Sequence, residues 1–387
     1  MRRNLLIVHG GGPTAVINCS LYGAIMEAKK SEQLDSIFGA RNGTGGLLRG
    51  ELIDLTDVPQ EKLQLLLQSS GSAIGTSRDQ LEREEYEKMA EILVAKNIGY
   101  VLMNGGNGTM DTCGLLNRIC QEKELDIKFV GIPKTMDNDL AITDHAPGYG
   151  SAARFLAQSV REVSTDVKGL PIHVVVIEAS GRNAGWITAA GAMAGEHGGI
   201  GPDLIYLPER PFEEEHYIDD IQNLLKQKSG IVVVASEGLK NADGKPIVKP
   251  VFQTGRATYF GDVSAYLANL VIQKLGVKAR GEKPGLLGRA SISLQSQVDR
   301  EEAELAGREA CRAALQGESG KMVAFRRISE QPYQIETFLV DIDQVMMTEH
   351  VMPDEYINAE GNGVTQVFLD WCRPLLGGEL TQMVTFN

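Results

Sequence analysis

The sequence has few cysteines and lacks a long apolar run at its start. Its five cysteines lie far apart along 387 residues and form no CxxC pair, which argues against a disulfide framework and against a structural zinc site. The apolar run before His9 is short, too short for a signal peptide or a membrane span. We therefore expect a protein of the reducing cytoplasm.

The chain also lacks an excess of basic residues. Its 38 Lys and Arg residues face 51 Asp and Glu residues, for a formal net charge of -13 at pH 7, so neither a nucleic acid nor a membrane surface is an expected partner. With 43% hydrophobic and 23% charged residues, the composition is that of a globular protein, and the length suggests about two domains. We expect the partners to be small molecules.

Glycines cluster where short apolar runs end, as expected of turns between strands and helices. The runs are rich in β-branched residues and predict buried parallel strands; they span 5–12, 100–108, 129–133, 173–181 and 230–238. Apolar residues spaced three and four apart predict amphipathic helices over 14–30, 83–97 and 298–315. Together these patterns indicate an α/β protein.

No repeat or low-complexity linker marks a domain boundary, so the boundaries follow from two groups of predicted strands. We predict two Rossmann-like α/β/α domains with mainly parallel sheets. The first contains residues 1–140 and about 285–330, and the second contains residues 141–284 and about 331–387. We expect the active site in the cleft between them, since ligands of open α/β sheets bind beyond the carboxyl ends of the strands.

The sequence contains three glycine-rich loops. Gly10 to Gly12 open onto a predicted helix, where free backbone N–H groups and the positive helix end favour an anion, although one such loop alone is about as often a plain tight turn. The segments GSAIGTSR (71–78) and NGGNGTMDT (104–112) repeat the arrangement, and the first of them ends in Arg78. Three such loops and a guanidinium are what a polyphosphate requires.

The segment GIPKTMDNDL (131–140) follows a predicted strand and carries a lysine, a threonine and two aspartates. An aspartate in such a loop can accept a proton from an attacking hydroxyl, and a lysine can neutralise charge on a transferring phosphoryl group. From the residues alone two plain alternatives stay open, with Asp137 as a helix cap and Lys134 as a solvated surface lysine.

The chain resembles the phosphofructokinase superfamily in the order and spacing of seven motifs, and most closely the branch that contains pyrophosphate-dependent enzymes. The resemblance extends from about residue 4 to residue 380. The motifs are GGPTAVIN (11–18), GTSR (75–78), GGNGTMDT (105–112), PKTMDND (133–139), PGYGSAAR (147–154), GRNAGW (181–186) and SEG (236–238).

This resemblance implies phosphoryl transfer to the 1-hydroxyl of a sugar phosphate, with the donor bound by the first domain and the acceptor by the second. Asp137 is the implied general base, beside Thr135 and Asp139. Lys134 and Arg78 are implied to stabilise the transferring phosphoryl group. The implied donor-binding residues are Gly12, Arg78, Asn107, Gly108 and Thr109.

Magnesium is the implied cofactor, and Asn107 stands at the position that faces the ion. Because an amide is a poorer ligand for this cation than a carboxylate, we expect Mg²⁺ to be held mostly by the donor's oxygens and by water. Arg280 is expected to reach the acceptor from a neighbouring subunit of a homodimer or homotetramer. The implied acceptor-binding residues are Thr135, Asp137, Asp139, Ser180, Gly181, Arg182, Glu237, Arg280 and Arg289.

Two positions favour different phosphoryl donors. Pyrophosphate-dependent relatives carry an acidic residue where this chain has Gly108, and that side chain fills space that the α-phosphate of ATP needs, so Gly108 favours ATP. Lys134 is the residue that the same relatives set against the donor, and it favours pyrophosphate. A lysine charge assists either donor whereas the block acts on one, so we predict ATP, with pyrophosphate as the alternative.

The acceptor site departs from the family pattern at four positions. Ser180 replaces a methionine that touches the sugar, and Leu286 replaces a histidine or tyrosine that hydrogen-bonds the 6-phosphate. Gly288 replaces a glutamine, and His173 replaces an arginine found in many ATP-dependent members. We predict a kinase of fructose 6-phosphate or a closely related sugar phosphate. The alternatives are a kinase of a different sugar or sugar phosphate and a non-catalytic ligand sensor. Against the sensor argues the joint retention of Asp137, Asp139, Arg78 and Lys134.

Overall fold

A computed structural model describes residues 2–170, 172–254, 257–346 and 348–386. The chain divides into two compact units, each made of two separate stretches of sequence. Unit 1 contains Met1–Ser151 and Arg289–His350. Unit 2 contains Ala152–Gly288 and Val351–Asn387.

Strands and helices alternate through most of the described chain. The strands are β1 (Arg3–His9), β2 (Leu34–Ala40), β3 (Leu52–Asp54), β4 (Ile98–Gly105), β5 (Lys128–Pro133), β6 (Val174–Ala179), β7 (Leu204–Tyr206), β8 (Ile231–Ser236), β9 (Pro250–Thr254), β10 (Ala257–Phe260), β11 (Ala279–Glu282), β12 (Lys321–Glu330) and β13 (Tyr333–Asp341). The α-helices are α1 (Ile17–Ala28), α2 (Gly43–Leu48), α3 (Gln60–Gln64), α4 (Arg83–Ala95), α5 (Asn107–Glu122), α6 (Tyr149–Gly169), α7 (Trp186–Ala190), α8 (Glu214–Leu225), α9 (Val263–Leu275), α10 (Leu287–Ala290), α11 (Gln297–Leu315), α12 (Ile342–Val345) and α13 (Gln366–Cys372). Short 3-10 helices cover Leu65–Gln68, Gly191–Gly198, Asp354–Tyr356 and Arg373–Leu376.

Unit 1 is built on a seven-stranded sheet in the order β13-β12-β5-β4-β1-β2-β3. The pairs from β12 through β5, β4 and β1 to β2 are parallel, and the outermost pairs, β12–β13 and β2–β3, are antiparallel. Successive residues of β1 enter opposite faces, so Leu5 and Ile7 lie in one core cluster and Leu6 and Val8 in the other. A sheet buried on both faces explains why its central strands are short apolar runs.

Helices α1 and α11 pack in close contact in unit 1. A Cβ on Gly23 would lie 2.0 Å from the carbonyl oxygen of Glu304, and a Cβ on Gly307 would lie 2.0 Å from that of Ser20. Both glycines are therefore required by the approach of the two backbones. This contact fixes α11 against the helix that follows the first glycine-rich loop.

Unit 2 contains a four-stranded sheet in the order β11-β6-β8-β7, and all of its pairs are parallel. Strands β9 and β10 form a separate antiparallel pair. The valines and isoleucines of β6 and β8 are buried, as expected of a parallel sheet. No helix in the described part of either unit is both long and apolar enough to cross a membrane.

The predicted α/β class with mainly parallel sheets is confirmed, and the five predicted strands correspond to β1, β4, β5, β6 and β8. The limits of the two units differ from the predicted domain boundaries in three stretches, and the shortest of them, 285–288, lies in unit 2. Residues 141–151 lie in unit 1, where Gly148 pairs with Thr135. Residues 331–350 also lie in unit 1, because β13 pairs along its length with β12.

Candidate active site

Three predicted site loops in unit 1 follow neighbouring parallel strands. The loop at Gly10 follows β1, the loop at Gly106 follows β4, and the loop at Lys134 follows β5. The strands β5, β4 and β1 are adjacent in the sheet, so their carboxyl ends bring these loops to one edge.

The first glycine-rich loop is held between two other predicted segments. The N–H of Gly10 donates to the carbonyl oxygen of Asn104 at 2.9 Å, and the N–H of Gly11 donates to that of Ser77 at 2.8 Å. The hydroxyl of Thr76 donates to the carbonyl oxygen of Gly11 at 2.7 Å. The GTSR segment therefore runs beside the first loop and brings Arg78 to it.

The side chains of two arginines lie close to Gly12. A Cβ on Gly12 would lie 2.6 Å from Nη1 of Arg289 and 3.1 Å from Nη2 of Arg78. The structure therefore brings Arg289, which the resemblance assigns to the acceptor, beside the predicted donor loop. The absence of a side chain at Gly12 leaves room for both guanidinium groups.

Thr109 fills the space between two glycines rather than facing solvent. A Cβ on Gly10 would lie 2.3 Å from Oγ1 of Thr109, and a Cβ on Gly105 would lie 2.1 Å from the same atom. Thr109 is 7% exposed. Its side chain thus sets the spacing between the loops that follow β1 and β4.

Lys134 is buried among the loops, with 3% of the residue exposed. Its Nζ donates to the carbonyl oxygens of Gly10 at 3.2 Å and Gly12 at 2.6 Å. Burial lowers the pKa of Lys134 to about 8; the carboxylates of Asp137 and Asp139 oppose this change, and the nearby arginines add to it. The alternative of a solvated surface lysine is therefore excluded, and the loop contains a buried amino group held by two backbone carbonyl oxygens.

The loop after Lys134 is ordered by the hydroxyl of Thr135. This hydroxyl donates to Oδ1 of Asp139 at 2.8 Å and accepts the N–H of Asp137 at 3.1 Å. Asn138 has a left-handed backbone, with φ of 55°, and its Oδ1 accepts the N–H of Ala146 at 2.9 Å. The turn is thus fixed on both sides of Asp137.

Asn107 and Gly108 begin α5, whose first N–H groups have no acceptor within the helix and favour an anion. Gly108 is exposed, and a Cβ there would have no atom within 4 Å. A cavity of about 400 Å³ lies in the region after Arg78, lined in part by Leu48, Asp79 and Leu81.

The protein groups that suit a magnesium ion are few. In the described ranges no group of three or more His, Cys, Asp or Glu side chains could hold a metal. Asn107 does offer one oxygen, since its Oδ1 is buried without a hydrogen-bond partner while its Nδ2 donates to the carbonyl oxygen of Asp139 at 3.1 Å. An orphaned acceptor suits a cation or its water, and Mg²⁺ usually keeps waters and substrate phosphates as ligands. Asn107 therefore fits a Mg²⁺ ion that is held mainly by the donor's own oxygens and by water.

Asp299 supports the loop that follows β5 and was not among the predicted site residues. Its carboxylate accepts the N–H of Gly148 at 2.7 Å, the N–H of Ser151 at 2.9 Å and the hydroxyl of Ser151 at 2.5 Å. Gly148 in turn pairs with Thr135. The only sequence signal is Ser296 three residues earlier, whose side chain caps α11 by accepting the N–H of Asp299.

Two histidines near the loops are buried structural groups. His9 shares a hydrogen bond with the hydroxyl of Ser72 at 2.8 Å, and burial lowers the pKa of His9 to about 3. His145 lies between Asp144 at 2.8 Å and Glu302 at 2.6 Å. Burial opposes the charged form of His145, but these two carboxylates raise its pKa to about 9.

In unit 2 the predicted acceptor residues lie at the ends of β6 and β8. Ser180, Gly181 and Arg182 follow β6, and Glu237 follows β8. Oε1 of Glu237 accepts the N–H groups of Gly181 and Arg182 at 3.2 and 3.3 Å. Gly181 has φ of 137° and Arg182 has φ of 52°. Glu237 therefore shapes this turn through its carboxylate.

Arg280 and His173 lie toward the other end of the same sheet. Arg280 of β11 pairs in register with Val175, near the start of β6, and His173 immediately precedes that strand. At about 3.3 Å per residue, the five positions from Val175 to Ser180 separate Arg280 from the turn by roughly 16 Å. Within one chain, unit 2 does not bring Arg280 together with Ser180.

The segment before Arg289 supplies little polar surface. Leu286 is 66% exposed, and a Cβ on Gly288 would lie 3.7 Å from the ring of Phe155. Neither the leucine nor the glycine has a side-chain group that could bind a phosphate.

Glycine-rich loops at the carboxyl edge of a parallel sheet, with a buried lysine among them and aspartates in the next loop, define an α/β phosphotransferase. The chain belongs to the phosphofructokinase family, whose sequence pattern matches residues 4–314. The predicted enzyme class, a phosphotransferase that acts on a sugar hydroxyl, is thereby confirmed.

Several known proteins are similar over nearly the whole chain. A pyrophosphate–fructose 6-phosphate 1-phosphotransferase of Rhodospirillum rubrum is 34% identical over 96% of this chain and 94% of its own length. A sulfofructose kinase of Alkalicoccus urumqiensis is 32% identical over 91% of each chain. The crystal structure of a pyrophosphate-dependent phosphofructokinase from Nitrosospira multiformis is 34% identical, with a TM-score of 0.90 over 99% of this chain and 94% of that one.

Proposed function

We propose that the protein transfers a phosphoryl group from pyrophosphate to the 1-hydroxyl of fructose 6-phosphate. The observation that carries the proposal is Lys134, whose buried Nζ bridges the carbonyl oxygens of Gly10 and Gly12. A fixed cation at this position suits a compact, highly charged donor. The names of the relatives from Rhodospirillum rubrum and Nitrosospira multiformis support pyrophosphate over ATP, although the sequence alone favoured ATP.

In this proposal the unit 1 residues bind the donor and remove the proton. The hydroxyl oxygen attacks the near phosphorus, its proton passes to the carboxylate of Asp137, and the bond to the bridging oxygen of pyrophosphate breaks to release phosphate. Lys134 and Arg78 stabilise the charge on the transferring group. Thr135 orients Asp137 by accepting its N–H at 3.1 Å, while Gly12, Gly108 and Thr109 shape the donor site.

Magnesium belongs to the proposal as an ion that accompanies the donor. When bound, it neutralises charge on the donor's phosphate oxygens. The buried Oδ1 of Asn107 is the protein oxygen that suits the ion or one of its waters. The orphaned state of this atom supports that assignment.

The acceptor residues in the proposal are Ser180, Gly181, Arg182 and Glu237, with Thr135, Asp137 and Asp139 from the catalytic loop. Arg280 is 60% exposed, with Glu282 as an ion-pair partner at 3.6 Å. Its separation from Ser180 within one chain supports a contribution from a neighbouring subunit. A homodimer or homotetramer with shared sites is therefore part of the proposal.

A second candidate is the same reaction on a sugar with a different charged group at carbon 6. Leu286 is 66% exposed where the resemblance expects a hydrogen-bonding partner of the 6-phosphate. The relative from Alkalicoccus urumqiensis is named a sulfofructose kinase. Sulfofructose is therefore the second acceptor to test.

The donor alternative, ATP, also has a specific observation in its favour. Gly108 leaves open space at the start of α5, since a Cβ there would have no atom within 4 Å. The larger donor would use the same Lys134 and Arg78. Only a comparison of donors separates the two.

The test measures initial rates with each donor and each acceptor. The purified protein is assayed with Mg²⁺ and with pyrophosphate or ATP, each combined with fructose 6-phosphate or sulfofructose. We expect the highest kcat/KM with pyrophosphate and fructose 6-phosphate. Turnover with ATP alone would overturn the donor assignment, and a preference for sulfofructose would favour the second acceptor. An Asp137→Asn variant, inactive with every pair, controls for contaminating kinases.

A further inference from the structure

A buried group of charged side chains includes the end of the loop between β5 and α6, the loop that carries Asp137. His145 of this loop and Glu302 of α11 are almost fully buried, with 2% and 7% of each residue exposed. Charged residues are rarely buried unless each has a partner. Neither side chain has a part in the phosphoryl transfer described above, so the pair requires another explanation.

His145 meets a carboxylate at each of its two ring nitrogens. Its Nδ1 lies 2.8 Å from Oδ2 of Asp144, and its Nε2 lies 2.6 Å from Oε2 of Glu302. An ionised carboxylate only accepts hydrogen bonds, and a neutral imidazole has a single N–H, so only the imidazolium donates to both. The two contacts therefore require a positive charge on His145.

Other elements of unit 1 hold the two carboxylates in place. The hydroxyl of Tyr333 in β13 donates to Oε1 of Glu302 at 2.7 Å. Nη2 of Arg327 in β12 donates to Oδ2 of Asp144 at 3.0 Å. In this group two cations, His145 and Arg327, face two carboxylates. A buried polar group with paired members is rigid and favours one arrangement of the segments that it joins.

The backbone joins His145 to both sides of the proposed base. The next residue, Ala146, donates its N–H to Oδ1 of Asn138 at 2.9 Å. One residue further on, the carbonyl oxygen of Pro147 accepts the N–H of Thr135 at 3.1 Å. Thr135 and Asn138 flank the base in the sequence. A displacement of His145 would therefore move the turn on both sides of the base.

We propose that His145 is a positioning residue for Asp137, and that Glu302 is the fixed point to which His145 attaches the loop. The inference rests on the proposed function, in which Asp137 takes the proton of the sugar hydroxyl. The base must lie within hydrogen-bond reach of that hydroxyl, and a displacement of about 1 Å can lower the rate about 100-fold. Helix α11 is a suitable support because its close contact at Gly23 and Gly307 holds it against α1.

The first test separates catalysis from binding in His145→Ala. Initial rates give kcat and both KM values with the donor that the wild-type protein uses. Calorimetry gives the Kd of methylenediphosphonate, a pyrophosphate analogue that cannot be cleaved. We expect kcat to fall at least about tenfold, while the KM values and the analogue's Kd stay within about twofold. Ile37→Ala, which opens a cavity in the core at β2 of the same unit, is the matched control for lost stability. It should keep kcat within about twofold at an equal shift in the urea midpoint.

Two variants of Glu302 test the same contact with His145 intact. Glu302→Met leaves His145 bonded to Asp144 alone and should lower kcat to a similar extent, at least about tenfold. Glu302→Gln keeps an oxygen that accepts from the ring and should restore kcat to within about threefold of the wild-type value. If His145→Ala does not fold, this pair decides, and a folded Glu302→Met enzyme with wild-type kcat would overturn the proposal.

A double variant shows whether His145 acts through Asp137. In Asp137→Asn the base is already absent, so adding His145→Ala should lower the residual kcat by no more than about twofold. A further loss of about tenfold in the double variant would place the effect of His145 elsewhere and would overturn the proposal. A folded His145→Ala enzyme with wild-type kcat would overturn it as well.

Failure of the proposed function gives a different pattern. Wild-type turnover in Asp137→Asn alone would show that Asp137 is not the base, and the positioning role would fall with it. The same holds if the wild-type protein turns over no pair of donor and acceptor. A wrong choice between pyrophosphate and ATP leaves the test intact, because kcat is read with the donor that is used and KM for ATP then replaces the analogue's Kd.

Discussion

Replacing Lys134 by methionine removes a buried positive charge and keeps a side chain of similar length. Nζ of Lys134 uses two of its three N–H groups on the carbonyl oxygens of Gly10 and Gly12, which leaves one for an oxygen of the donor. A hydrogen bond to a charged group contributes about 1.5–3 kcal/mol. The kcat/KM for pyrophosphate should therefore fall roughly 10- to 150-fold.

The assay varies pyrophosphate at saturating fructose 6-phosphate and follows formation of the bisphosphate. Lys128→Met is the matched control, since Lys128 lies at the other end of β5, pairs with Asp126 at 2.9 Å and is one-third exposed. It should change kcat/KM by no more than about twofold. Urea unfolding of both variants checks that the sheet is intact.

A folded Lys134→Met enzyme with wild-type kcat/KM for pyrophosphate would refute the reasoning. The lysine would then stabilise the loops and have no contact with the donor. If Lys134→Met loses both activity and folding, Lys134→Arg provides the test instead, because it keeps the charge and the hydrogen-bond donors.

Three further predictions concern the same loops. Burial lowers the pKa of Lys134 to about 8, so its charge is present below that pH and lost above it. The kcat/KM for pyrophosphate should therefore decline above about pH 8. Lys134→Arg should remove this decline from the pH profile. Asp137→Asn should lower kcat at least about 100-fold while calorimetry shows unchanged binding of methylenediphosphonate, and retained turnover would assign the base elsewhere. Gly108→Asp meets no atom within 4 Å and should stabilise the start of α5 by about 0.5–1 kcal/mol in urea unfolding. The same variant should lose any ATP-dependent turnover and keep that with pyrophosphate, and equal losses with both donors would contradict a steric selection.

Local pattern was sufficient for the strands that support the site. The apolar runs ending at His9, Gly105 and Pro133 are each bounded by glycine or proline, and the structure has β1, β4 and β5 there. Since the strands are parallel neighbours, the loops after them had to share an edge. The hairpin of β12 and β13 escaped prediction because β13, at the edge of the sheet, and the second half of β12 contain mostly exposed and partly exposed residues and form no apolar run.

Contacts between distant segments could not be predicted from local pattern. Nothing near Arg289 in sequence indicates that it meets Gly12, and nothing near Asp299 indicates that it accepts the N–H of Gly148. The prediction of the phosphoryl donor depended on Gly108, which favours ATP, and on Lys134, which favours pyrophosphate. The sequence does not show that Lys134 is buried and bonded to Gly10 and Gly12, which is the observation on which the proposed donor rests.

The interruption of unit 1 by unit 2 has a consequence for the nascent chain on the ribosome. Strand β5 gains its neighbour β12 only after Lys321 has been made, and α11 covers α1 only after Gln297. By then every strand of the four-stranded sheet, which ends at Glu282, has already been synthesised. Domains commonly fold during synthesis in the order in which they emerge, but here unit 1 starts first and its sheet is completed only after the four-stranded sheet of unit 2. Apolar residues of β5 such as Val130 and Ile132 lack part of their packing until β12 and α11 have been made. A pause in translation before residue 297 would prolong their exposure.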